Sequence, residues 1–344
     1  MSRPSFSICD SVLDAIGDTP LIDLRRLVPA NTGRILAKLE LQNPGGSKKD
    51  RAALRIITEA RESGQLLPGQ PIVEMTSGNM GAGLAVVAAV LGHPFHAVMS
   101  RGNSPERAAM MSALGAHVHL VEQSPGAQPG EVGRSDVELV RRESVHIADQ
   151  VGAFFVDQFN RPGNSNGHYF GTAAEIWQQT EGKFDAFCDF VGSGGSFAGC
   201  ARYFNERNPS IKTYIVEPEG AAVLACGLAV KPDHPIQGGG YAMTELPLLD
   251  GVKPDGFLTV SGNQARATAR QLARQEGIFA GFSAGANIAA AQSLLAGPLR
   301  GATIVVLLCD TGLKYLSTDL WPKIGAGGPP AAPEPSASRD ARRT

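Results

Sequence analysis

Short apolar runs alternate with longer amphipathic stretches along most of this sequence. The apolar runs are rich in Val, Ile, Leu and Phe, as in buried strands, whereas the stretches between them have the spacing of helices that bury one face. Because strands that alternate with helices usually form parallel sheets, the pattern predicts an α/β protein. The predicted strands are Ile35–Glu40, Pro71–Met75, His96–Met99, His117–Val121, Phe154–Val156, Ala186–Val191, Thr213–Val216, Phe257–Val260 and Thr303–Leu308. The predicted helices are Arg51–Ser63, Gly78–Leu91, Pro105–Leu114, Gly171–Gln179, Ser196–Asn205, Gly262–Gln275 and Ala284–Leu295.

The composition is that of a globular protein with little net charge. The chain has 344 residues, 43% of them hydrophobic, and a formal net charge of −2. Because nucleic-acid-binding and membrane-surface proteins usually carry a basic patch, this balance argues against both kinds of partner. No apolar run reaches the roughly 18 residues of a membrane span. The five scattered cysteines lack metal-ligand spacing, so we expect no metal site and a reduced, cytoplasmic setting.

Two adjacent lysines follow a Pro-Gly-Gly turn at the start of a predicted helix. The run Asn43–Arg51 reads NPGGSKKDR, with the lysines at 48 and 49. A lysine held beside backbone N–H groups loses its proton more easily than a solvated one and can attack an aldehyde. An ordinary basic helix N-terminus is the alternative interpretation. Because successive helix residues point about 100° apart, only one of the two lysines can face a ligand.

A glycine-rich loop lies between the strand that ends at Val191 and the next helix. Such a loop aims backbone N–H groups and a helix N-terminus at one point, which suits a phosphate group, although a flexible turn has the same composition. A dinucleotide is a further alternative, with Glu217 as its ribose ligand. Because Phe197 occupies the third glycine position of that motif, a single phosphate monoester fits better. The loop residues are Gly192, Ser193, Gly194, Gly195 and Ser196.

A second polar loop, Met75–Gly81, also joins a strand to a helix. Helix capping explains one short polar side chain there, whereas hydroxyl, amide and backbone N–H groups together can bind a carboxylate. The sequence therefore predicts an anion-binding loop. Its candidate residues are Thr76, Ser77, Gly78 and Asn79.

Four later segments complete the picture. The small residues of Gly281–Asn287 are interpreted as permitting close helix packing. Thr311 follows the last predicted strand, and because ligands of open α/β sheets collect at the carboxyl ends of strands, it is either a hydroxyl contact or a turn residue. The segment Gln123–Arg134, rich in Pro and Gly, is predicted to be a flap or a surface insertion. Residues 323–344 are predicted to form a disordered tail.

Taken in order, these motifs resemble the cysteine synthase and cystathionine β-synthase family, whose members are pyridoxal-phosphate enzymes of fold type II. The resemblance implies two domains, each an open, mainly parallel sheet flanked by helices. It implies a smaller domain at 43–150 with the substrate loop, and a larger domain at 1–42 and 151–322 with the phosphate loop. The similar segments are LDAIGDTPL, NPGGSKKDR, TSGNMG, DQF, GSGGS, GIFAGFSAGA and KYLST.

The resemblance also implies a role for each motif. Lys49 matches the lysine that forms the internal aldimine with pyridoxal phosphate. Asn79 matches the residue at the ring hydroxyl, and Thr311 the residue at the pyridine nitrogen. Residues 192–196 match the loop that holds the cofactor phosphate. The residues that match the binding site of the substrate α-carboxylate are Thr76, Ser77, Gly78 and Gln158.

The implied reaction is β-replacement on an O-activated L-serine, O-acetyl or O-phospho, through an aminoacrylate. Lys49 would remove the α-proton, and a small nucleophile such as sulfide would add to the β-carbon. A neutral hydroxyl at the pyridine nitrogen favours elimination and replacement over transamination. The implied protein is a homodimeric transferase or lyase of amino-acid biosynthesis.

Several positions depart from the family pattern and leave the donor and the nucleophile open. Lys48 stands at a usually apolar position, where it is either solvent-facing or a charge near the site mouth. Met80 replaces a common threonine of the substrate loop, and Gly238–Tyr241 replaces a different glycine pattern. The segment 123–134 is longer than in ordinary sulfide-using synthases. Arg161 is either a contact for a phosphorylated donor or an ordinary surface arginine.

Three other functions are considered. A serine or threonine deaminase would use the same scaffold, an NAD(P)-dependent oxidoreductase would use Gly192–Gly199 with Glu217, and a non-catalytic relative would serve as a binding partner. The substrate loop is closer to the synthases than to the dehydratases. The intact lysine and cofactor loops favour an active enzyme.

Overall fold

The structure, a computed structural model, describes residues 8–126, 132–231 and 234–322. The predicted tail at 323–344 and the middle of the predicted flap, 127–131, lie outside the described residues. The strands are β1 Leu21–Asp23, β2 Arg34–Lys38, β3 Ile72–Met75, β4 Phe95–Ser100, β5 His117–Val121, β6 Phe154–Phe155, β7 Ala186–Phe190, β8 Lys212–Pro218, β9 Gly256–Val260 and β10 Thr303–Leu307. The α-helices are α1 Lys49–Glu62, α2 Asn79–Leu91, α3 Pro105–Ala113, α4 Arg134–Val151, α5 Gly163–Gly167, α6 Ala174–Thr180, α7 Gly195–Arg207, α8 Val223–Cys226, α9 Gly262–Glu276 and α10 Phe282–Ala296.

The described strands form two sheets flanked by helices. The large sheet has the order β1-β2-β10-β7-β8-β9 and the small sheet the order β5-β4-β3-β6. Strand β1 pairs antiparallel with β2 at one edge of the large sheet, whereas the other described pairs in both sheets are parallel. This architecture confirms the predicted α/β class with two mainly parallel sheets.

The large sheet carries helices on both faces, as its alternating side chains require. In β7, Ala186, Cys188 and Phe190 pack into a cluster with residues of α9 and α10. Phe187 of the same strand faces the other way and packs with residues of α7. Because successive strand residues point to opposite faces, a strand covered on both sides is apolar throughout. The buried Asp189 is the exception in β7.

The small sheet is also covered on both faces. Ile72 of β3 packs with residues of α1 and α2, and the neighbouring Val73 packs with Val140 and Ile147 of α4. Helix α4 spans 18 residues but was absent from the sequence prediction. Its apolar stripe is interrupted by the buried Ser144 and surrounded by charged residues, so its helical periodicity is weak.

Two smaller differences concern element boundaries. The predicted helix at 171–179 is a π-helical turn at His168–Ala173 followed by α6. Strand β6 at Phe154–Phe155 pairs with β3 of the small sheet, although the predicted smaller domain ends at 150. The division of the chain into domains therefore stays a prediction.

The parallel strands bring three loops together at their carboxyl ends. Strand β3 leads into residues 76–78, β7 leads into 191–194, and β10 leads into 308–311. Ligand sites of open α/β sheets form at the carboxyl ends of strands. The backbone of Ser47, just before α1, pairs with that of Asp310 after β10, which holds the two lysines near the carboxyl end of β10.

Candidate active site

The two lysines are held where α1 begins. Gly46 adopts a left-handed conformation, with φ of +73°, that suits a residue without Cβ. The backbone N–H of Lys48 donates to the carbonyl of Cys309 at 2.8 Å. The backbone N–H of Gly45 donates to the carboxylate of Asp50, which closes the Pro-Gly-Gly turn onto the helix. Lys48 and Lys49 are therefore positioned by backbone bonds as well as by sequence.

Lys49 reaches the glycine-rich loop after β7. Its half-buried side chain donates from Nζ to Oγ of Ser193 at 3.1 Å. Burial, followed by the positive charge of Lys48, lowers the pKa of Lys49 to about 8. A lysine with such a pKa has an appreciable neutral fraction near neutral pH and can act as a nucleophile or base.

Lys48 turns away from solvent and pairs with a carboxylate. Its Nζ lies 2.7 and 2.8 Å from the two carboxylate oxygens of Asp189 in β7. Burial acts to lower the pKa of Lys48, but the Asp189 carboxylate outweighs it and the net shift is upward. Lys48 is therefore a buried, charged neighbour of the site, and its solvent-facing interpretation was wrong.

The glycine-rich loop has the geometry of an anion cradle. Gly194 has φ of +84° and precedes the first residue of α7, which has no side-chain cap. The N–H groups of the first turn therefore stay available to a ligand. A Cβ at Gly192 would lie 2.7 Å from the carbonyl oxygen of Gly238, and one at Gly195 would overlap the side-chain oxygen of Asn164. The amide of Asn164 also donates to Ser193 Oγ at 2.9 Å. This asparagine was absent from the sequence prediction.

The loop after β3 is ordered by its own hydroxyl. Thr76 Oγ1 accepts bonds from the backbone N–H groups of Gly78 and Gly81, both at 2.9 Å. The side chain of Asn79 is held at both ends. It donates to Asp310 at 2.7 Å and accepts from Lys314 at 2.9 Å.

Gln158 lies beside this loop and contacts a carboxyl that the sequence reasoning missed. Its amide nitrogen donates to Glu74 Oε1 at 3.0 Å and to the carbonyl of Met75 at 3.1 Å. Burial raises the pKa of Glu74 to about 8, so this carboxyl is largely protonated near neutral pH. The buried polar residue inside the strand sequence IVEM was the available signal.

Two adjoining cavities bring these residues together. The smaller, about 410 Å³, and the larger, about 570 Å³, share Lys49, Asn79, Ser193 and Gly238 in their walls. The other residues of the smaller cavity are Lys48, Phe190, Gly192, Gly194, Ser196, Gln237, Ser283 and Cys309. The larger cavity continues along Met75, Thr76, Ser77, Met80, Ser100, Asn103, Val132, Val137, Val140, Gln158, Phe159 and Tyr241.

Thr311 and Arg161 lie elsewhere. Thr311 lines neither cavity, and its hydroxyl accepts from the backbone N–H of Leu313 at 3.3 Å. The hydroxyl that borders the smaller cavity belongs to Ser283, in a segment that the sequence analysis interpreted as packing. Arg161 donates to Gln65 at 2.6 Å and stacks over the ring of Phe154 at 4.3 Å.

The residues of the smaller cavity fit a phosphorylated aldehyde. The uncapped N-terminus of α7 and two lysines provide positive potential for a phosphate, and Lys49 provides an amine for the aldehyde. By contrast, no group of three His, Cys, Asp or Glu in the described residues is placed to hold a metal ion. Among the same residues, no helix is long and apolar enough to cross a membrane.

Comparison with known proteins decides the family. The family described as "Pyridoxal-phosphate dependent enzyme" matches residues 12–310. The chain belongs to this family. Its members here include an O-ureido-L-serine synthase of Streptomyces lavendulae, 39% identical over 320 residues that cover 92% of this chain and 94% of the relative. A cysteine synthase B of Salmonella typhimurium is 36% identical over 306 residues, which cover 89% and 94% of the two chains.

A solved structure agrees with these relatives. The O-acetylserine-dependent cystathionine β-synthase of Helicobacter pylori matches with a TM-score of 0.83 at 33% identity and covers 92% of this chain and 100% of that one. The predicted membership of the cysteine synthase and cystathionine β-synthase family of fold type II is thereby confirmed. The protein is a pyridoxal-phosphate-dependent enzyme whose reaction class is β-replacement on an O-activated L-serine.

The oxidoreductase and deaminase alternatives are not favoured. Glu217, the proposed ribose ligand, accepts bonds at 2.9 Å from the backbone N–H groups of Leu224 and Ala225. Its carboxylate therefore caps the short helix α8. The relatives are synthases, which argues against a serine or threonine deaminase.

Proposed function

We propose that Lys49 is the cofactor-bound and proton-transferring lysine of a β-replacement enzyme that uses O-acetyl-L-serine. One observation carries this proposal: Lys49 lies where the two cavities meet and contacts the glycine-rich loop through Ser193 at 3.1 Å. A lysine at this junction reaches a cofactor in the smaller cavity and an amino acid in the larger one.

The smaller cavity would hold pyridoxal phosphate. The loop Gly192–Ser196 would bind the phosphate through its N–H groups. Asn79, fixed by Asp310 and Lys314, would face the ring. We propose Ser283 for the ring-nitrogen contact in place of Thr311, because Ser283 borders the cavity. The bound cofactor supplies a sink for negative charge at the α-carbon of the substrate.

The protein's own residues would then orient the substrate and move its proton. The α-carboxylate would bind to the loop after β3, at Thr76, Ser77 and Gly78, and to Gln158 beside that loop at the wall of the larger cavity. Lys49 would take the α-proton at Nζ, since burial keeps much of this amine neutral near pH 8.

The charges of the larger cavity favour an O-acyl donor over an O-phospho donor. Among the described residues that line it, Lys49 is the sole Lys or Arg. A phosphate monoester carries nearly two negative charges and is usually bound by Arg or Lys. Arg161, the candidate partner, is engaged with Gln65 and Phe154. The H. pylori relative is likewise named for O-acetylserine.

The nucleophile is proposed from the relatives and the cavity wall. Sulfide would give cysteine, the product for which the synthase of S. typhimurium is named. The same cavity is also lined by the polar side chains of Ser100 and Asn103, which suit a larger uncharged nucleophile with hydrogen-bonding groups, such as hydroxyurea. Its oxygen would form the link in the O-ureido-L-serine for which the S. lavendulae relative is named.

The cofactor proposal is tested with Lys49→Ala. Borohydride reduction followed by peptide mass spectrometry should place the pyridoxyl group on Lys49 of the wild type and leave Lys49→Ala unlabelled. Lys183→Ala, at an exposed lysine, is the matched control and should label as the wild type does. A label on another lysine of the wild type contradicts the proposal.

The donor proposal is tested by product analysis. The enzyme is mixed with O-acetyl-L-serine or O-phospho-L-serine and with sulfide or hydroxyurea. We expect amino-acid product from O-acetyl-L-serine at least tenfold faster than from O-phospho-L-serine. A faster reaction of the phosphorylated donor rejects the charge argument. Release of 2-oxo acid as the main product would restore the deaminase.

We also propose that the enzyme is a cytoplasmic homodimer. None of the five cysteines, all within the described residues, forms a disulfide, which suits a reducing compartment. Leu316 is a large apolar side chain left exposed by the single chain. Light scattering during gel filtration should give twice the mass of one 36.0 kDa chain. A monomer at micromolar concentration contradicts this proposal.

A further inference from the structure

The buried Lys48–Asp189 ion pair is not explained by a contribution to the stability of the protein alone. Both side chains are buried, with Lys48 8% and Asp189 0% exposed. A buried ion pair is often no more stable than well-packed apolar residues of similar volume. Lys48 of this pair also lines the smaller cavity, together with Lys49. The position of Lys48 beside Lys49 therefore indicates that the pair has a role in the site.

Asp189 connects Lys48 to the phosphate loop. The hydroxyl of Ser196, in the first turn of α7, donates to its Oδ2 atom. The amide of Asn287 in α10 donates to Oδ1 at 3.3 Å, and the thiol of Cys309 donates to the same oxygen at 3.8 Å. One carboxylate thus fixes the loop, a helix of the large sheet and the Lys48 ammonium.

Among the titratable groups near Lys49, the Lys48–Asp189 pair differs from the others in its charge. The titratable groups that face Lys49 from neighbouring elements are Lys48, Asp189, Cys309, Glu74 and His168. Burial raises the pKa of the Cys309 thiol to about 12 and that of Glu74 to about 8. Burial and nearby cations lower the pKa of His168 well below its usual value. Near pH 7 these three groups are therefore mainly neutral, whereas Lys48 and Asp189 form an ion pair at 2.7 Å.

We propose that Lys48 and Asp189 are a positioning pair, in which Asp189 fixes Lys48 and Ser196 while the Lys48 ammonium increases the neutral, reactive fraction of its neighbour Lys49. The pair acts with opposite signs on Lys49. The ammonium of Lys48 disfavours a second positive charge, and the carboxylate of Asp189 partly offsets this effect. The proposal rests on the proposed function only in that Lys49 is the reactive lysine.

The test measures the protonation of Lys49 in the full-length protein without cofactor. Acetic anhydride labels neutral amines, and mass spectrometry gives the labelled fraction of the Lys49 peptide as a function of pH. In Lys48→Met the midpoint should rise by about one pH unit or more, because a positive neighbour is lost and Asp189 is left unpaired. In Asp189→Asn it should fall. Lys48→Arg keeps the charge and should stay within a few tenths of the wild type.

A double variant guards against variants that do not fold. Lys48→Met/Asp189→Asn leaves no buried charge in the pair, and its midpoint should lie between those of the two single variants. The midpoint of Asp189→Asn should then lie below that of the double variant, a comparison that does not need Lys48→Met. Equal midpoints in all folded variants, or shifts of one common sign, would overturn the proposal, since a purely structural pair predicts no ordered, opposite shifts.

The same samples separate this proposal from the proposed function. Pyridoxal phosphate and borohydride report which lysine binds the cofactor, whereas acetylation reports the protonation of Lys49 whether or not cofactor binds there. A shifted midpoint with the cofactor on another lysine would refute the proposed function but leave the electrostatic coupling intact. Unshifted midpoints with the cofactor on Lys49 would refute the positioning pair alone.

Discussion

At the scale of single residues, the site separates two lysines that are adjacent in the chain. Lys48 pairs with Asp189 at 2.7 Å, whereas Lys49 meets the neutral hydroxyl of Ser193. The same burial therefore has opposite net results, because a carboxylate compensates desolvation in one case and a neighbouring cation adds to it in the other. The pKa of each lysine therefore depends on the group that its ammonium meets.

The rate at which cofactor is incorporated should follow the titration of Lys49. Below a pKa of about 8 this lysine is mainly protonated and cannot attack an aldehyde. The incorporation rate should therefore rise about tenfold per pH unit below pH 8 and level off above it. Stopped-flow absorbance with pyridoxal phosphate and cofactor-free protein measures this profile. A rate that keeps rising beyond pH 10 would indicate a lysine with an ordinary pKa.

Ser283 and Thr311 should differ when their hydroxyls are removed. Ser283→Ala should weaken pyridoxal phosphate binding or turnover about tenfold, the value of roughly one hydrogen bond. Thr311→Val removes the acceptor for the N–H of Leu313 and should mainly lower the free energy of unfolding, by about 1 kcal/mol. Cofactor titrations and urea unfolding of both variants show which hydroxyl contributes to cofactor binding and which to stability. A larger cofactor defect in Thr311→Val restores the prediction made from the sequence.

At the scale of secondary-structure elements, the site depends on how α7 begins. Helix α7 begins at Gly195 without a side-chain cap, and its N-terminus faces the cavity. Ordinary helices satisfy such N–H groups with Ser, Thr, Asp or Asn. Here Ser196 donates its hydroxyl to Asp189, so the backbone of the first turn is left for a ligand.

Gly195→Ala should disable this helix start. The new Cβ would overlap the side-chain oxygen of Asn164 and push away the amide that holds Ser193. We expect pyridoxal phosphate to bind at least tenfold more weakly, with the helical circular dichroism signal retained. Gly297→Ala is the control, because the nearest atom to its Cβ would be 3.4 Å away. Wild-type affinity in Gly195→Ala would show that the loop tolerates a side chain.

At the scale of the whole molecule, a buried charge network attaches α1 to the large sheet. Arg51, two residues after Lys49, lies 2.7 Å from Glu40, which follows β2. It also donates to Glu175 of α6 at 2.8 Å, and Glu175 accepts from Lys38 of β2 at 2.7 Å. The helix that carries the lysine is thus fixed both to the preceding strand β2 and to α6, where Glu175 is 124 residues from Arg51 in the chain.

This network should make stability depend on pH. Burial acts to raise the pKa of Glu175, but Arg51 and Lys38 outweigh it and lower the pKa from 4.5 to about 2. A lowered folded-state pKa stabilises the protein above pH 4.5, and this contribution is lost as pH falls toward 2. Its full size is about 3 kcal/mol. In urea unfolding, the difference in the free energy of unfolding between wild type and Glu175→Gln should therefore be smaller at pH 3 than at pH 7.

The control for this prediction is an exposed glutamate. Glu62 lies at the end of α1 and is exposed, and Glu62→Gln should change the free energy of unfolding by less than about 0.5 kcal/mol at both pH values. A gap between wild type and Glu175→Gln that is the same at pH 3 and pH 7 would show that Glu175 is not held ionised by Arg51 and Lys38.

Much of the fold was predictable because it is encoded locally. The apolar runs of β7 and β10 and the glycines at 192–195 have strong local signals. Helix α4 does not, because its buried face includes Ser144 and is recognisable only against β3 and β4. Likewise, the small residues of the GFSAGA segment predict only close helix packing. That Ser283 borders the cavity is visible only once the position of α10 in the fold is known.

The sequence by itself determined the family, the cofactor and the reaction class, because ordered motifs from 12 to 310 are shared with known enzymes. Only the tertiary structure decided which hydroxyl borders the smaller cavity and which carboxylate pairs with Lys48. Lys48 and Asp189 are 141 residues apart in the chain, so no local pattern connects them. The parallel strands bring the carboxyl end of β7 and the start of α1 together, and there burial and the positive charge of Lys48 both lower the pKa of Lys49.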